Sequence, residues 1–171
     1  WSEAIRILTT ITNEAMNDII RETAESVGNR GLVRGQYIDL DVQHRPTQVA
    51  DLDDCAYLKT GVLFKNAAGI GARFVGASAA EQTILENFGK EFGLIYQMRD
   101  DLLDATATAT SIGKDVGIDD RNGRPTYVAL LGTEGTKQLI QTKAAEVVAD
   151  LNKLPSRTEH LRALIQDLGM S

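Results

Sequence analysis

The chain has 171 residues, 43% hydrophobic and 25% charged, the balance of one globular domain or part of one and not that of a disordered segment. Lysine and arginine number 18 against 24 aspartates and glutamates, giving a formal charge of −6 and no basic block to grip a phosphate backbone, so nucleic acid is excluded as the expected partner. The single cysteine, Cys55, excludes an internal disulfide and a cysteine-rich zinc site and argues for a reducing, cytoplasmic setting.

From Ala4 to Val27, the residues Ile5, Leu8, Ile11, Ala15 and Ile19 recur at helical intervals and predict one helix, ended by Gly28-Asn29-Arg30-Gly31. The chain begins at Trp1, directly in this periodic stretch, which suggests a piece of a longer protein. Leu32, Val33, Gln36, Tyr37 and Leu40 predict a second helix, stopped by Pro46. Asp51, Asp53 and Asp54 precede Tyr57, Leu58 and Val62 and read as acidic residues in a helical first turn, where the dipole favours them. Gly61, Gly69, Gly71 and Gly76 then interrupt the pattern, pointing to close backbone packing or a kink.

Ser78 and Glu81 form a capping box, and apolar periodicity runs from Ile84 to about Ala105. Residues 106–124, rich in threonine, glycine and aspartate, read as a loop. Pro125 suits the first position of a short helix through Leu131, since its missing donor costs nothing there. Another helix is expected from about Glu134 to Leu154, before Pro155, and Ser156 with Glu159 opens a last one to about Leu168. Period-two alternation and internal repeats are absent, and no apolar run reaches the roughly 18 residues of a membrane span. The fold class is all-α.

Within the long helix, Gln97, Asp100, Asp101 and Asp104 crowd one side, Asp100 and Asp104 projecting about 40° apart. Like charges so placed repel, and a cation reverses the sign. Oxygen ligands without histidine or cysteine suit magnesium, which commonly joins one or two carboxylates to a substrate phosphate. The bland alternative is a solvated acidic face partly neutralised by Arg99. Three further elements place a cation beside glycine: Lys59-Thr60-Gly61, Gly113-Lys114-Asp115 and Gly123-Arg124-Pro125. Each offers donors that a diphosphate accepts, although a surface lysine is the ordinary reading of any one alone. His44 and His160 stand isolated and read as surface residues. Phe64, Phe74 and Phe88 read as core.

The order Gly31-Leu32-Val33-Arg34-Gly35-Gln36, Lys59-Thr60-Gly61, Phe92 through Asp104 with its Gln-x-x-Asp-Asp-x-x-Asp core, Gly113-Lys114-Asp115 and Gly123-Arg124-Pro125-Thr126-Tyr127 closely resembles the trans-isoprenyl diphosphate synthases, over most of the chain, from about Gly31 to Leu131. The resemblance implies a single-domain helical bundle around a central cavity, residues 1–171 being its C-terminal part. It implies a magnesium-dependent prenyltransferase that ionises an allylic prenyl diphosphate, lets isopentenyl diphosphate attack the cation, and loses a proton. By position, Asp100, Asp101 and Asp104 would bind Mg2+, directly or through water. Lys59, Thr60, Lys114 and Arg124 would hold the allylic diphosphate, and Tyr96 and Gln97 would border the prenyl groups. Nothing in residues 1–30 resembles the family's first aspartate-rich motif, so the bundle and metal site are expected to be incomplete, completed by an upstream segment, a second copy or another subunit. Two other readings stand beside this one: a non-catalytic or regulatory subunit of a heteromeric synthase, and a class I terpene cyclase. The retained aspartates, Lys59, Thr60 and Lys114 favour the enzyme, and the Gly113-Lys114-Asp115 loop favours a synthase.

Overall fold

The computed structural model describes the backbone of residues 2–41, 48–112, 125–155 and 158–169, and the side chains of these except 107–112. Among the described residues every regular element is a helix: α1 (Ser2–Leu8), α2 (Met16–Val27), α3 (Leu32–Leu40), α4 (Val49–Ala56), a π turn (Tyr57–Gly61) leading into α5 (Val62–Phe74), α6 (Ala79–Ile112), α7 (Tyr127–Leu151) and α8 (Glu159–Gly169). None of these helices is long and apolar enough to cross a membrane.

The helix expected over Ala4–Val27 is two helices. Thr9 and Thr10 turn their hydroxyls back onto the carbonyls of Arg6 and Ile7, and the Asn13 carboxamide oxygen accepts from the Ala15 amide. Short polar side chains that bond their own backbone compete with the helix, and this cluster outweighs the apolar stripe. The capping box at Ser78 and Glu81 is formed, with Glu81 accepting from the Ser78 amide at 2.7 Å. In contrast, α6 runs on to Ile112 through the stretch read as a loop. Thr106 bonds back to the carbonyls of Leu102 and Leu103, and the alternating alanines are strong helix formers. Pro125 precedes α7 rather than starting it, because Thr126 is the cap and accepts from the Ala129 amide at 3.1 Å. At Gly132, φ is 71°, which breaks α7 into the short and long helices that the sequence suggests. Ser156 of the last expected capping box lies outside the described residues.

The long helix α6 packs on α5 along one side and on α7 along another, with α8 closing over α7. Leu94, Ile95, Met98 and Leu102 face α7 and α8 and are buried with Tyr127, Ile140, Leu151 and Ile165. Phe88 joins this core, but Phe64 and Phe74 are exposed, so two of the three phenylalanines expected inside are not. Phe64 instead meets Phe92 edge to face at 4.8 Å.

Glycines govern the other side of α6. A Cβ on Gly93 would lie 2.4 Å from the Gly61 Cα, one on Gly89 would meet the Phe64 carbonyl at 2.4 Å, and one on Gly35 would meet the Lys59 amide nitrogen at 2.3 Å. Backbones therefore touch directly where α3, the π turn and α6 converge. Gly93→Ala is expected to destabilise the chain by about 3 kcal/mol, because backbone has no rotamer with which to retreat. Gly71→Ala, whose Cβ would meet nothing within 4 Å, should stabilise by about 0.5–1 kcal/mol. Urea denaturation followed by helical circular dichroism checks both.

Candidate functional site

Helical period places Gly93, Gln97, Asp100 and Asp104 on one stripe of α6, flanked on one side by Tyr96 and Leu103 and on the other by Asp101. Asp100 and Asp104 are exposed, as are Tyr96 and Leu103, so this part of α6 presents carboxylates beside an open apolar strip. Tyr96 stacks toward Phe64 at a centroid distance of 6.4 Å, extending that strip onto α5.

Asp101 occupies a different environment. It points between α6 and α7, where its Oδ2 accepts from the Tyr127 backbone amide at 3.0 Å and its Oδ1 accepts from the Gln97 Nε2 at 3.2 Å. Tyr127 is the first residue of α7, so its amide is one of the unpaired donors at the positive end of that helix. Burial pushes the Asp101 carboxyl above its ordinary range. The Tyr127 and Gln97 donors pull it back in part, and the charges of Asp100 and Asp104 push it further up.

Lys59 and Thr60 sit in the π turn between α4 and α5, a five-residue widening that seats Gly61 against Gly93. Thr60 thus lies beside α6 one turn before Gln97, and Asp100 follows about 10 Å further along the axis by helical rise. The Lys59 ammonium donates to Asp39 Oδ2 at 3.0 Å, across from α3, with both side chains largely buried. The structure thus seats Thr60 and Gly61 beside the side of α6 that carries Tyr96, Gln97, Asp100 and Asp104, with Asp101 turned inward and the Lys59 ammonium turned toward Asp39 of α3. Lys114, Arg124 and His44 lie outside the described residues.

Among the described residues no three carboxylate, histidine or cysteine side chains converge tightly enough to hold a metal by themselves. The donors present nevertheless fit magnesium, since two exposed carboxylates at i and i+4 with no softer ligand nearby are what an ion keeping water and substrate oxygens requires.

Sequence reasoning missed Asp39, and it missed a polar network behind Asp101. The Tyr127 hydroxyl donates to Asp53 Oδ1 at 2.7 Å, and Lys143 lies 3.7 Å from Asp53 and 2.9 Å from Glu91. Asp53 is therefore a cross-helix partner, where its position suggested only a favourable first-turn charge. No spacing in the sequence signals this, because the four groups lie on three separate helices. Burial pushes Lys143 down, but the Glu91 hydrogen bond and the charges of Glu91, Asp53 and Glu146 together hold it above its ordinary range.

A family model described as polyprenyl synthetase matches residues 1–168. A farnesyl diphosphate synthase of Micrococcus luteus is 34% identical over 160 residues, covering 92% of this chain and 54% of that protein. A heterodimeric geranylgeranyl pyrophosphate synthase large subunit of Arabidopsis thaliana is 35% identical over 134 residues, covering 77% of this chain and 36% of that protein. Among solved structures, an FPP/GFPP synthase of Zymomonas mobilis superposes with a TM-score of 0.82 at 25% identity, over 98% of this chain and 57% of that one. A geranyltransferase of Helicobacter pylori, complexed with magnesium and isoprenyl diphosphate, gives a TM-score of 0.75 at 25% identity, over 98% of this chain and 55% of that one. The chain thus spans about half, or less, of the length of the curated relatives named here.

The inward turn of Asp101 has a consequence for stability. A carboxyl whose folded value is raised lends stability below its ordinary value of 3.8 and loses that contribution as pH rises through the folded value. Asp101→Asn keeps an acceptor for the Tyr127 amide without the buried charge, and Gln97 can reverse its carboxamide to match. In metal-free buffer the variant should melt above the parent at about pH 7, with the margin shrinking toward about pH 4. Thermal denaturation at the two values measures it.

Proposed function

The chain belongs to the polyprenyl synthetase family, and from that premise we propose that it carries the second aspartate-rich half of a magnesium-dependent active site that joins isopentenyl diphosphate to an allylic prenyl diphosphate. The observation that carries the reading is the placement of Thr60-Gly61 against Gly93, on the stripe of α6 that continues through Gln97 to Asp100 and Asp104.

In this reading Lys59 and Thr60 donate to the diphosphate of the allylic substrate. Lys59 then exchanges its pairing with Asp39 for one shared with, or transferred to, phosphate oxygen, so that Asp39 keeps the ammonium in place while the site is empty. Asp100 and Asp104 would hold magnesium, with Asp101 contributing negative charge from behind. Magnesium bound there supplies charge neutralisation for the departing pyrophosphate. Phe64, Phe92 and Tyr96 form an apolar wall beside the acidic stripe, where a prenyl chain lies and water is excluded from the allylic cation. Gln97, held by Asp101 through its Nε2, borders the same space as a fixed dipole. Lys114 and Arg124, from the segment preceding α7, complete the cationic side.

Association belongs to the same reading. Val33, Tyr37 and Leu40 expose an apolar stripe along α3, a surface of the kind that a second copy or another subunit covers.

The test is a binding and turnover assay with allylic diphosphates of increasing length, isopentenyl diphosphate and magnesium. Binding of the allylic diphosphate should require magnesium. Asp100→Ala should lower any turnover by about 100-fold, and Lys59→Ala should weaken diphosphate binding by about tenfold. Binding that ignores both magnesium and Asp100 would falsify the assignment.

A further inference from the structure

The groups behind Asp101 form a relay between three helices that the proposed chemistry does not use. Tyr127 is 1% exposed and bonds at both ends: its backbone amide reaches the Asp101 carboxylate on α6, and its phenol reaches Asp53 on α4. Asp53 is in turn steadied by Lys143 on α7, which also grips Glu91 on α6. A buried tyrosine gains little from its hydroxyl unless that hydroxyl finds a partner, and here the partner is an aspartate with a counter-charge of its own. The ring cannot slide along α6 without breaking the Asp53 bond. With the ring fixed, the first turn of α7 is fixed, and the amide at its positive end aims at Asp101.

We propose that Tyr127 is a positioning residue for the acidic stripe: the phenol, anchored on Asp53 by Lys143 and Glu91, locks the start of α7 so that its amide and Gln97 together hold Asp101 in one orientation beside Asp100 and Asp104. This rests on the magnesium reading above for its functional consequence and on geometry alone for its mechanism. Groups that hold charged side chains from behind a metal site commonly change metal affinity by 10–100-fold when removed. The hydroxyl of Tyr127 acts one step further back, so an effect near the lower figure is expected. Because Tyr127 and Asp53 act through one bond, their losses should not add.

Two measurements on the chain test this. In metal-free buffer, hydrogen exchange at the Tyr127 amide should speed up about tenfold relative to the parent in Tyr127→Phe, Asp53→Ala and Asp101→Ala. It should stay unchanged in Asp100→Ala, which has no part in the relay. Titration of magnesium in the presence of inorganic pyrophosphate should show about tenfold weaker binding in Tyr127→Phe and in Asp53→Ala, no further loss in the double variant, and recovery in Asp53→Asn, whose carboxamide oxygen still accepts from the phenol. A merely structural network would lower the melting temperature of Tyr127→Phe and speed exchange uniformly across the core amides while leaving magnesium affinity unchanged, and that result overturns the proposal. If the parent binds no magnesium with pyrophosphate, both the proposal and the functional reading fail; if the parent binds and the variants match it, the proposal alone fails.

Discussion

The architecture depends on backbone meeting backbone without side chains between. Gly93 of α6 lies against Gly61, and Gly35 of α3 lies against the amide of Lys59, so the π turn is gripped from both sides at a separation no Cβ would allow. A π turn is a poorer hydrogen-bonded arrangement than the α-helix on either side and persists where packing demands it. Here the demand is that an otherwise continuous helical run, from Val49 to Phe74, pass close to α3 and α6 at once, with Lys59 against Gly35 and Thr60-Gly61 against Gly93. The axial spacing between the Gly61–Gly93 contact and the acidic stripe of α6 then follows from helical rise.

The second organising feature is electrostatic. Asp101 is drawn into the interface of α6 and α7, where burial disfavours its charge and the amide of Tyr127 and the carboxamide of Gln97 compensate in part. Asp100 and Asp104 remain on the open face. Three carboxylates within two turns therefore differ by environment: one is tied into the fold, and two stand exposed. Further along, the same interface holds Lys143 between Glu91 and Asp53, each charge partly desolvated and each answered by another. The opposite cleft, between α2 and α5, is answered in the same way, with Arg73 paired to Glu22 and Glu86, and Lys65 also reaching Glu86.

Family membership agrees with this arrangement, since the segment matching the polyprenyl synthetase model includes the π turn, the acidic stripe and the start of α7. The chain spans about half the length of its Micrococcus luteus relative.

Much of this was legible in the residues themselves. Helical periodicity announced an all-α chain, the capping box at Ser78 and Glu81 marked where α6 begins, and the positions of Gln97, Asp100 and Asp104 on one stripe follow from 3.6 residues per turn alone. Gly61 announced that something must come close without saying what, and nothing in the sequence marked Gly93 as its partner. Local signals misled where they competed: the Thr9–Asn13 cluster broke an apolar stripe, whereas Thr106 joined a helix because its hydroxyl could bond back to it. What only tertiary structure decided is which groups meet. That Gly61 faces Gly93, that Lys59 pairs with Asp39, and that Tyr127 holds Asp101 with one end and Asp53 with the other are all contacts between separate helices. A repeat of 3.6 residues sets directions around one axis, but the partner across an interface is chosen by how whole helices pack, and that choice leaves no fixed spacing in the chain.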